Sequence, residues 1–302
     1  GQSFALFILD GQGRYRWHHL DAAGRGMLDV AAADGLLYYN TLDPERLDDV
    51  GAVVTLDLDS AAVLGEVAAP GMHHTFTLLP DGGFAYLAID VRDWTDPETG
   101  LSEPVVGDAL WEVGPGGVRR EVFNLWDHLA PAPHDRWDEA FYEQGRDWSH
   151  GNGLSYDAGR DSYLVSMGNL DLILEIDRES GAPLLQITPE HWAISGEVYD
   201  FPHSPSWVDS ERLLLFSYTE GSIGAIEYAV DSEARSMVSV WSHTRSEALL
   251  PFLGHARRLA GGSTLINYGA SGLVEEVTEA GAVTWELRSG FGAWIGGAAP
   301  LR

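Results

Sequence analysis

HGNGLSYDAGRDSYLVSMGNLDLILEIDRESGAPLLQITP, residues 150–189, is four short β-rich runs separated by Asp/Gly turn signals at AGRD and DRESG. The unit recurs on both sides. Downstream, residues 203–243 read HSPSWVDSERLLLFSY and then GAIEYAVDSEARSMVSVWSH, and residues 255–289 read HARRLAGGSTLINYG and then LVEEVTEAGAVTWELRS. Upstream, residues 74–128 read HTFTLLPDGGFAYLAID and, after an inserted loop, ALWEVGPGGVRREVFNLWDH. A fifth copy without the histidine runs from Met27 to Ala69. FALFILDGQGRYRWHHL at the N-terminus reads as the third and fourth strands of one more unit, and AWIGGAAPLR at the C-terminus as its first. Repeats of a four-stranded unit that cannot bury both faces alone predict an all-β, six-bladed β-propeller, with 1–302 as one domain. Pairing of the N- and C-terminal strands in one blade would close the ring and leave no free sheet edge.

The repeat sets a phase. His74, His150, His203 and His255 each precede by four residues a Leu or Trp of the first strand, at Leu78, Leu154, Trp207 and Leu259; the fifth copy has Met27 there. This spacing selects His74 over its neighbour His73. First strands of propeller blades are innermost, so the four imidazoles are expected to converge on the axis. Turns joining strands one to two and three to four are short. The other face carries long loops, 91–107, 129–149, 189–202 and 244–254, which hold Trp94, Trp137, Trp148, His191 and Trp192. Long loops at one end of a rigid scaffold are the expected place for a site, and the tryptophans suggest a small aromatic guest.

Composition narrows the chemistry. All 18 Lys+Arg residues are arginine, against 46 Asp+Glu, for a net charge of −28. Such a surface argues against nucleic acid, and no apolar run is long enough for a membrane span. With no lysine and no cysteine, Schiff bases, thiolate nucleophiles and disulfides are excluded. No basic-then-apolar leader opens the chain, which fits a soluble protein of the cytoplasm, or of the periplasm or exterior if a leader has been removed. The sequence specifies no oligomer.

A histidine ring admits two chemistries. One neutral imidazole can act as nucleophile or base while the others and nearby amides stabilise anionic oxygens, a scheme that requires no cofactor. Alternatively, His74, His150, His203 and His255 could hold a divalent metal ion for hydrolysis or oxygenation. Asn152, two residues after His150, can offer an amide to an oxyanion. Arg257, two after His255, shares its side of an undistorted strand and can offer a cation. A non-catalytic binding module is the third reading. Tyr218, Tyr268, Asp90 and Asp93 are weaker candidates. Asp57, Asp177, Glu112 and Glu227 on third strands are expected to be solvated or to brace the blades, and His18, His19, His128, His134 and His243, which share no phase, to be structural.

At these residues the chain resembles the propeller-forming bacterial arylsulfotransferase family. DWSHGNGLSYD at 147–157 is similar to the family's Asp-Trp-x-His-x-Asn-x-x-x-Tyr-Asp signature and is followed by LILEIDRESG at 172–181. HHTFTLLPDGG at 73–83 resembles a second family motif with Thr75 in place of an acid, HSPSW at 203–207 a third, and ARRLAGGSTLINYG at 256–269 a fourth. The resemblance implies sulfuryl or related ester transfer between phenols through His203 as nucleophile, with His74, His150 and Asn152 holding the sulfuryl oxygens. Two departures stand out. SMGN at 166–169 lacks the arginine the family carries at the end of that strand, and His255 stands where the family commonly has a small residue. The resemblance is to the propeller of the family, and the N-terminal sandwich domain found in some members is not expected within residues 1–302.

Overall fold

Apolar runs bounded by tight turns fold, in the computed structural model, into antiparallel four-stranded sheets laid side by side as propeller blades. The structure describes residues 4–301 except 22, 43–50, 133, 135, 138–140, 220, 247–249, 251 and 291–292. Blade C, from residues 150–189, shows the local logic. Its strands are Gly151–Asp157, Ser162–Met167, Leu172–Asp177 and Pro183–Ile187. Asp157 caps the first turn by accepting from the amides of Gly159 and Arg160, and Asp177 caps the next by accepting from the Ser180 amide and hydroxyl. Both middle strands are almost wholly buried, because neighbouring blades cover both faces of the sheet.

Blades A (30–68), B (72–124), D (203–245) and E (255–288) repeat this order. Between B and C, Leu87, Leu110, Trp148, Tyr163, Val165 and Leu174 are buried in one cluster. Leu164, Ile173, Leu213, Leu215 and Tyr228 do the same between C and D, and Leu214, Phe216, Ile266 and Tyr268 between D and E. Each such side chain contributes on the order of 1.5–3 kcal/mol by leaving water. The third-strand carboxylates add polar braces between blades. Glu112 of B accepts from Tyr163 and Arg178 of C, Glu227 of D pairs with Arg258 of E, and Glu275 of E pairs with Arg245 of D.

Five blades are found where six are expected. In place of the sixth stands a two-stranded hairpin, Leu6–Leu9 and Tyr15–His19, whose Leu6 and Trp17, with Phe4, pack on Leu37, Tyr39, Val54 and Leu56 of blade A. The C-terminal segment runs between blades E and A but, among the described residues, pairs with neither hairpin strand. Blade E side chains satisfy its backbone instead: Asn267 Nδ2 donates to the carbonyls of Ile295 and Gly296, and His255 Nε2 lies 3.0 Å from the carbonyl of Ala298. GGAAP supplies no β-branched side chain, and Pro300 has no amide to donate, so this stretch has little to hold it in a ladder.

The inner strands, Met72–Leu78, Gly151–Asp157, His203–Trp207 and His255–Arg258, pack around a common axis. Three of them are irregular at the head. Register shifts fall between Met72 and Phe76, between Gly151 and Gly153, and between His203 and Ser206, whereas His255–Arg258 pairs one to one with Thr264–Asn267. His74 (φ 51°), His150 (φ 52°) and Ser204 (φ 47°) take left-handed backbone at these points. Such strain costs on the order of 1–3 kcal/mol per residue and persists only where surrounding contacts impose it.

Candidate active site

The HGNG segment is placed by its neighbours. Arg146 and Asp147 pair in parallel with Val105 and Val106 of blade B, and the Trp148 amide donates to the Val106 carbonyl. Gly151 and Gly153 then permit approaches that no side chain could: a Cβ on Gly151 would lie 2.7 Å from the Asp108 carboxylate, and one on Gly153 would lie 2.2 Å from the Ser204 nitrogen. The inner strands of C and D therefore meet backbone to backbone, which brings Asn152 beside His203.

A cavity of about 150 Å³ lies along the inner strands and is lined by His74, Asn152, His203, His255 and Arg257, with Asp29, Thr75, Ser155, Ser204 and Ser206. Of the six residues singled out from sequence, His150 alone is outside the lining. It stands behind His74, the two rings edge to face at 4.9 Å, and its Nδ1 is 2.5 Å from Asp147 Oδ2. That bond fixes the proton on Nδ1 and leaves Nε2 as the free nitrogen.

His203 is 3% exposed, and among the described residues neither ring nitrogen makes a hydrogen bond. Burial, followed by the nearby imidazoles of His150 and His255, pushes its pKa down to about 3. Burial and the rings of His150, His73 and His203 likewise hold His74 well below the ordinary histidine range. Both are neutral at physiological pH, the state in which an imidazole can attack or accept a proton. His255 is lowered by burial, with Asp29 opposing and Arg257 reinforcing, and its Nε2 is committed to the C-terminal segment. Arg257 makes no ion pair among the described residues. Asn152 accepts at Oδ1 from the Ser166 hydroxyl at 2.7 Å, while its buried Nδ2 has no partner among the described residues. An unpaired buried amide beside a cavity is a donor waiting for an acceptor.

The ligand set for a four-histidine metal centre is not assembled. Among the described residues no three His, Asp or Glu side chains gather closely enough to hold an ion. One nitrogen in each of three rings is turned to another partner, His150 Nδ1 to Asp147, His74 Nδ1 to His73 and His255 Nε2 to Ala298.

The expected tryptophan rim is also absent. Trp137, Trp148 and Trp192 are buried in the blade cores, Trp94 packs on Trp137, and Trp192 donates to the Gln186 carbonyl. Phenylalanines and tyrosines stand at the histidines instead: Phe141, 53% exposed and edge-on to His150 at 4.7 Å, Phe201, which touches both His150 and His203, and Tyr142, stacked on His150. Phe201 is held under the Arg136 guanidinium, which also binds Asp171, Asp200 and the Gly168 carbonyl. Tyr218 lies edge-on to His203 and donates to the Leu253 carbonyl, and Tyr268 donates to Glu275. Asp90 is tied to Arg92 and Asn124.

Sequence reasoning missed Asp147, Asp108 and His73. Asp147 could have been found from its place three residues before His150 in DWSH, a spacing that lets a carboxylate fold back on an imidazole. Asp108 sits on the third strand of blade B, with nothing in its neighbourhood to mark it.

The family model described as Arylsulfotransferase (ASST) matches residues 2–193, a span that includes His74, His150 and Asn152 and ends before His203. No curated protein matches the chain. Among solved structures, a protein of unknown function from Bacteroides caccae is 16% identical with a TM-score of 0.57, over 97% of this chain and 93% of that one. A chain of a nidogen/laminin complex is 12% identical with a TM-score of 0.56, over 98% and 97%. Virginiamycin B lyase from Staphylococcus aureus is 11% identical with a TM-score of 0.50, over 95% and 74%. At these identities the shared feature is the propeller fold.

Proposed function

From the premise that the chain belongs to the arylsulfotransferase family, we propose that it transfers the sulfuryl group of an aryl sulfate to a phenol through His203. The observation that carries this reading is a cavity lined by both His203, a buried neutral imidazole with no hydrogen-bond partner among the described residues, and Asn152, whose buried amide donor has none among them either. The His203 nitrogen lone pair attacks sulfur, the S–O bond to the aryl group breaks, and the electron pair leaves with the aryl oxygen. The acceptor phenol oxygen then attacks the same sulfur as its proton passes to solvent, the sulfur–nitrogen bond breaks, and its electron pair restores the free imidazole. Asn152 Nδ2 donates to a sulfuryl oxygen, an interaction of the kind worth about 10²–10³ in rate when charge develops on the acceptor. Arg257, the unpaired cation in the lining, takes the place of the arginine missing from SMGN and neutralises the anionic ester.

Incubation with a chromogenic aryl sulfate and a phenol is the test. Aryl release that depends on the phenol, with a sulfated phenol as product, is expected, and His203→Ala should abolish it. Release at an equal rate without phenol would make the reaction hydrolysis. Undiminished turnover by His203→Ala would refute the nucleophile.

A further inference from the structure

His73, which the repeat spacing passes over, is 2% exposed and lies between two groups that determine its proton. Its Nε2 is 2.8 Å from Asp108 Oδ1, off the line of an ideal hydrogen bond but too close for a nitrogen lone pair to face a carboxylate. Asp108 is ionised: His73, the Ser149 hydroxyl and the Gly151 amide hold its pKa down against the effect of burial. His73 therefore carries a proton on Nε2. Its Nδ1 faces His74 Nδ1 at 2.9 Å and the Tyr142 hydroxyl at 3.3 Å. Burial raises the Tyr142 pKa, so that hydroxyl is neutral, and His73 Nδ1 is the one acceptor it has among the described residues. A buried hydroxyl needs an acceptor, so His73 Nδ1 is bare. The proton between the two rings then belongs to His74 Nδ1, and His74 Nε2 presents a lone pair to the cavity that His74 lines.

We propose that Asp108 and His73 are positioning residues that fix the Nδ1–H tautomer of His74 and make His74 Nε2 the base for the acceptor hydroxyl. The proposal rests on the sulfuryl-transfer reading and assigns His74 a role opposite to that of an oxyanion contact, since a bare Nε2 cannot donate to a sulfuryl oxygen. In the second half-reaction the acceptor oxygen bonds to sulfur, the bond from sulfur to the His203 nitrogen breaks, and its electron pair returns to that nitrogen. The acceptor proton moves to His74 Nε2 and from there to solvent.

Asp108→Asn tests the relay without emptying the site. Asp108 Oδ2 accepts from Ser149 and Gly151, so the amide oxygen of the variant stays there and its NH₂ faces His73 Nε2. That reverses each donor in turn: His73 becomes Nδ1–H and His74 becomes Nε2–H. The readout is nitrogen-15 NMR of histidine-labelled protein, with His74 assigned by its loss in His74→Gln. Wild type should show His74 Nε2 as the unprotonated nitrogen, and Asp108→Asn should show it protonated. A protonated His74 Nε2 in neutral wild-type protein overturns the proposal, whatever the enzyme assay shows and whether or not the variant folds. In the assay, Asp108→Asn should slow transfer to weakly acidic phenols by about 10²–10⁴-fold. The defect should shrink to within about tenfold for phenols acidic enough to arrive ionised, since they need no base. A loss equal across acceptors also overturns the proposal. Absence of sulfuryl transfer in wild type, by contrast, defeats the functional reading and leaves the NMR result standing.

Discussion

Replacing His203 with Gln should change how stability depends on pH, because the fold holds this imidazole neutral. His203 is buried, lacks a carboxylate partner, and has its pKa pushed to about 3. In the unfolded chain it titrates near the ordinary value of about 6.5. As pH falls through that value the unfolded chain takes up a proton that the folded protein refuses. The stabilisation is thus fully present above about pH 6.5 and is lost as pH falls toward the folded pKa. The slope is up to about 1.4 kcal/mol per pH unit, for a total on the order of 4–5 kcal/mol near pH 3. Urea unfolding of wild type and His203→Gln at pH 7, 6, 5 and 4 isolates this contribution, because the carboxylates that dominate acid denaturation are common to both. The wild-type curve should fall more steeply below about pH 6.5, with the gap widening at each step. Parallel curves would show that His203 takes up its proton at the same pH in the folded protein as in the unfolded chain, and a wild-type curve that falls less steeply would show that folding favours the protonated ring; either result would remove the basis for an imidazole held neutral by burial. The kinetic counterpart is that kcat/KM should hold well below pH 6 before protonation silences the imidazole.

Gly153→Ala should damage both stability and catalysis, since its Cβ would meet the Ser204 backbone at 2.2–2.7 Å and force blades C and D apart. Overpacking of this kind costs about 1–3 kcal/mol, and a shift of about 1 Å at His203 costs about 10²-fold in kcat, both measurable on purified protein. Glu227→Gln should separate the two effects. The carboxylate is 1% exposed and braces Arg212 and Arg258, so its loss should cost about 1.5–3 kcal/mol in a thermal melt while leaving kcat near wild type.

The propeller was legible because its signal is redundant. Each blade repeats the same four runs and the same Asp/Gly turns, and a turn such as DRESG carries its own mechanism in the side chain of Asp177. The histidine spacing marked three residues of the cavity lining, His74, His203 and His255, and a fourth, His150, that stands outside it. What escaped the sequence depends on contacts between distant segments. Asp108 reaches His73 and Gly151 from another strand, and only folding reveals that its two oxygens serve different partners. The tryptophans on the long loops carry no mark to distinguish a ring that greets a ligand from one, such as Trp148, that packs between blades. The missing strand at the C-terminus was a matter of composition: strand order suggested a place for it, but GGAAP does not fill that place as a strand.

The irregular heads of the inner strands bear on how such a site can change. A plain strand is a parity code, in which adding or removing one residue sends every later side chain to the opposite face. The register shift between Met72 and Phe76 resets that parity, so Phe76, Thr77 and Leu78 keep their partners Tyr86, Ala85 and Phe84 whatever stands ahead of them. A change at residues 73–75 can exchange which histidine meets the cavity without disturbing the stacking behind it. Blade E has no such reset, and the same change at His255 would turn Ala256 out of the core and Arg257 into it. Reactive groups on three blades are thereby insulated from the scaffold that carries them, whereas on the fourth any revision of the chemistry is also a revision of the fold.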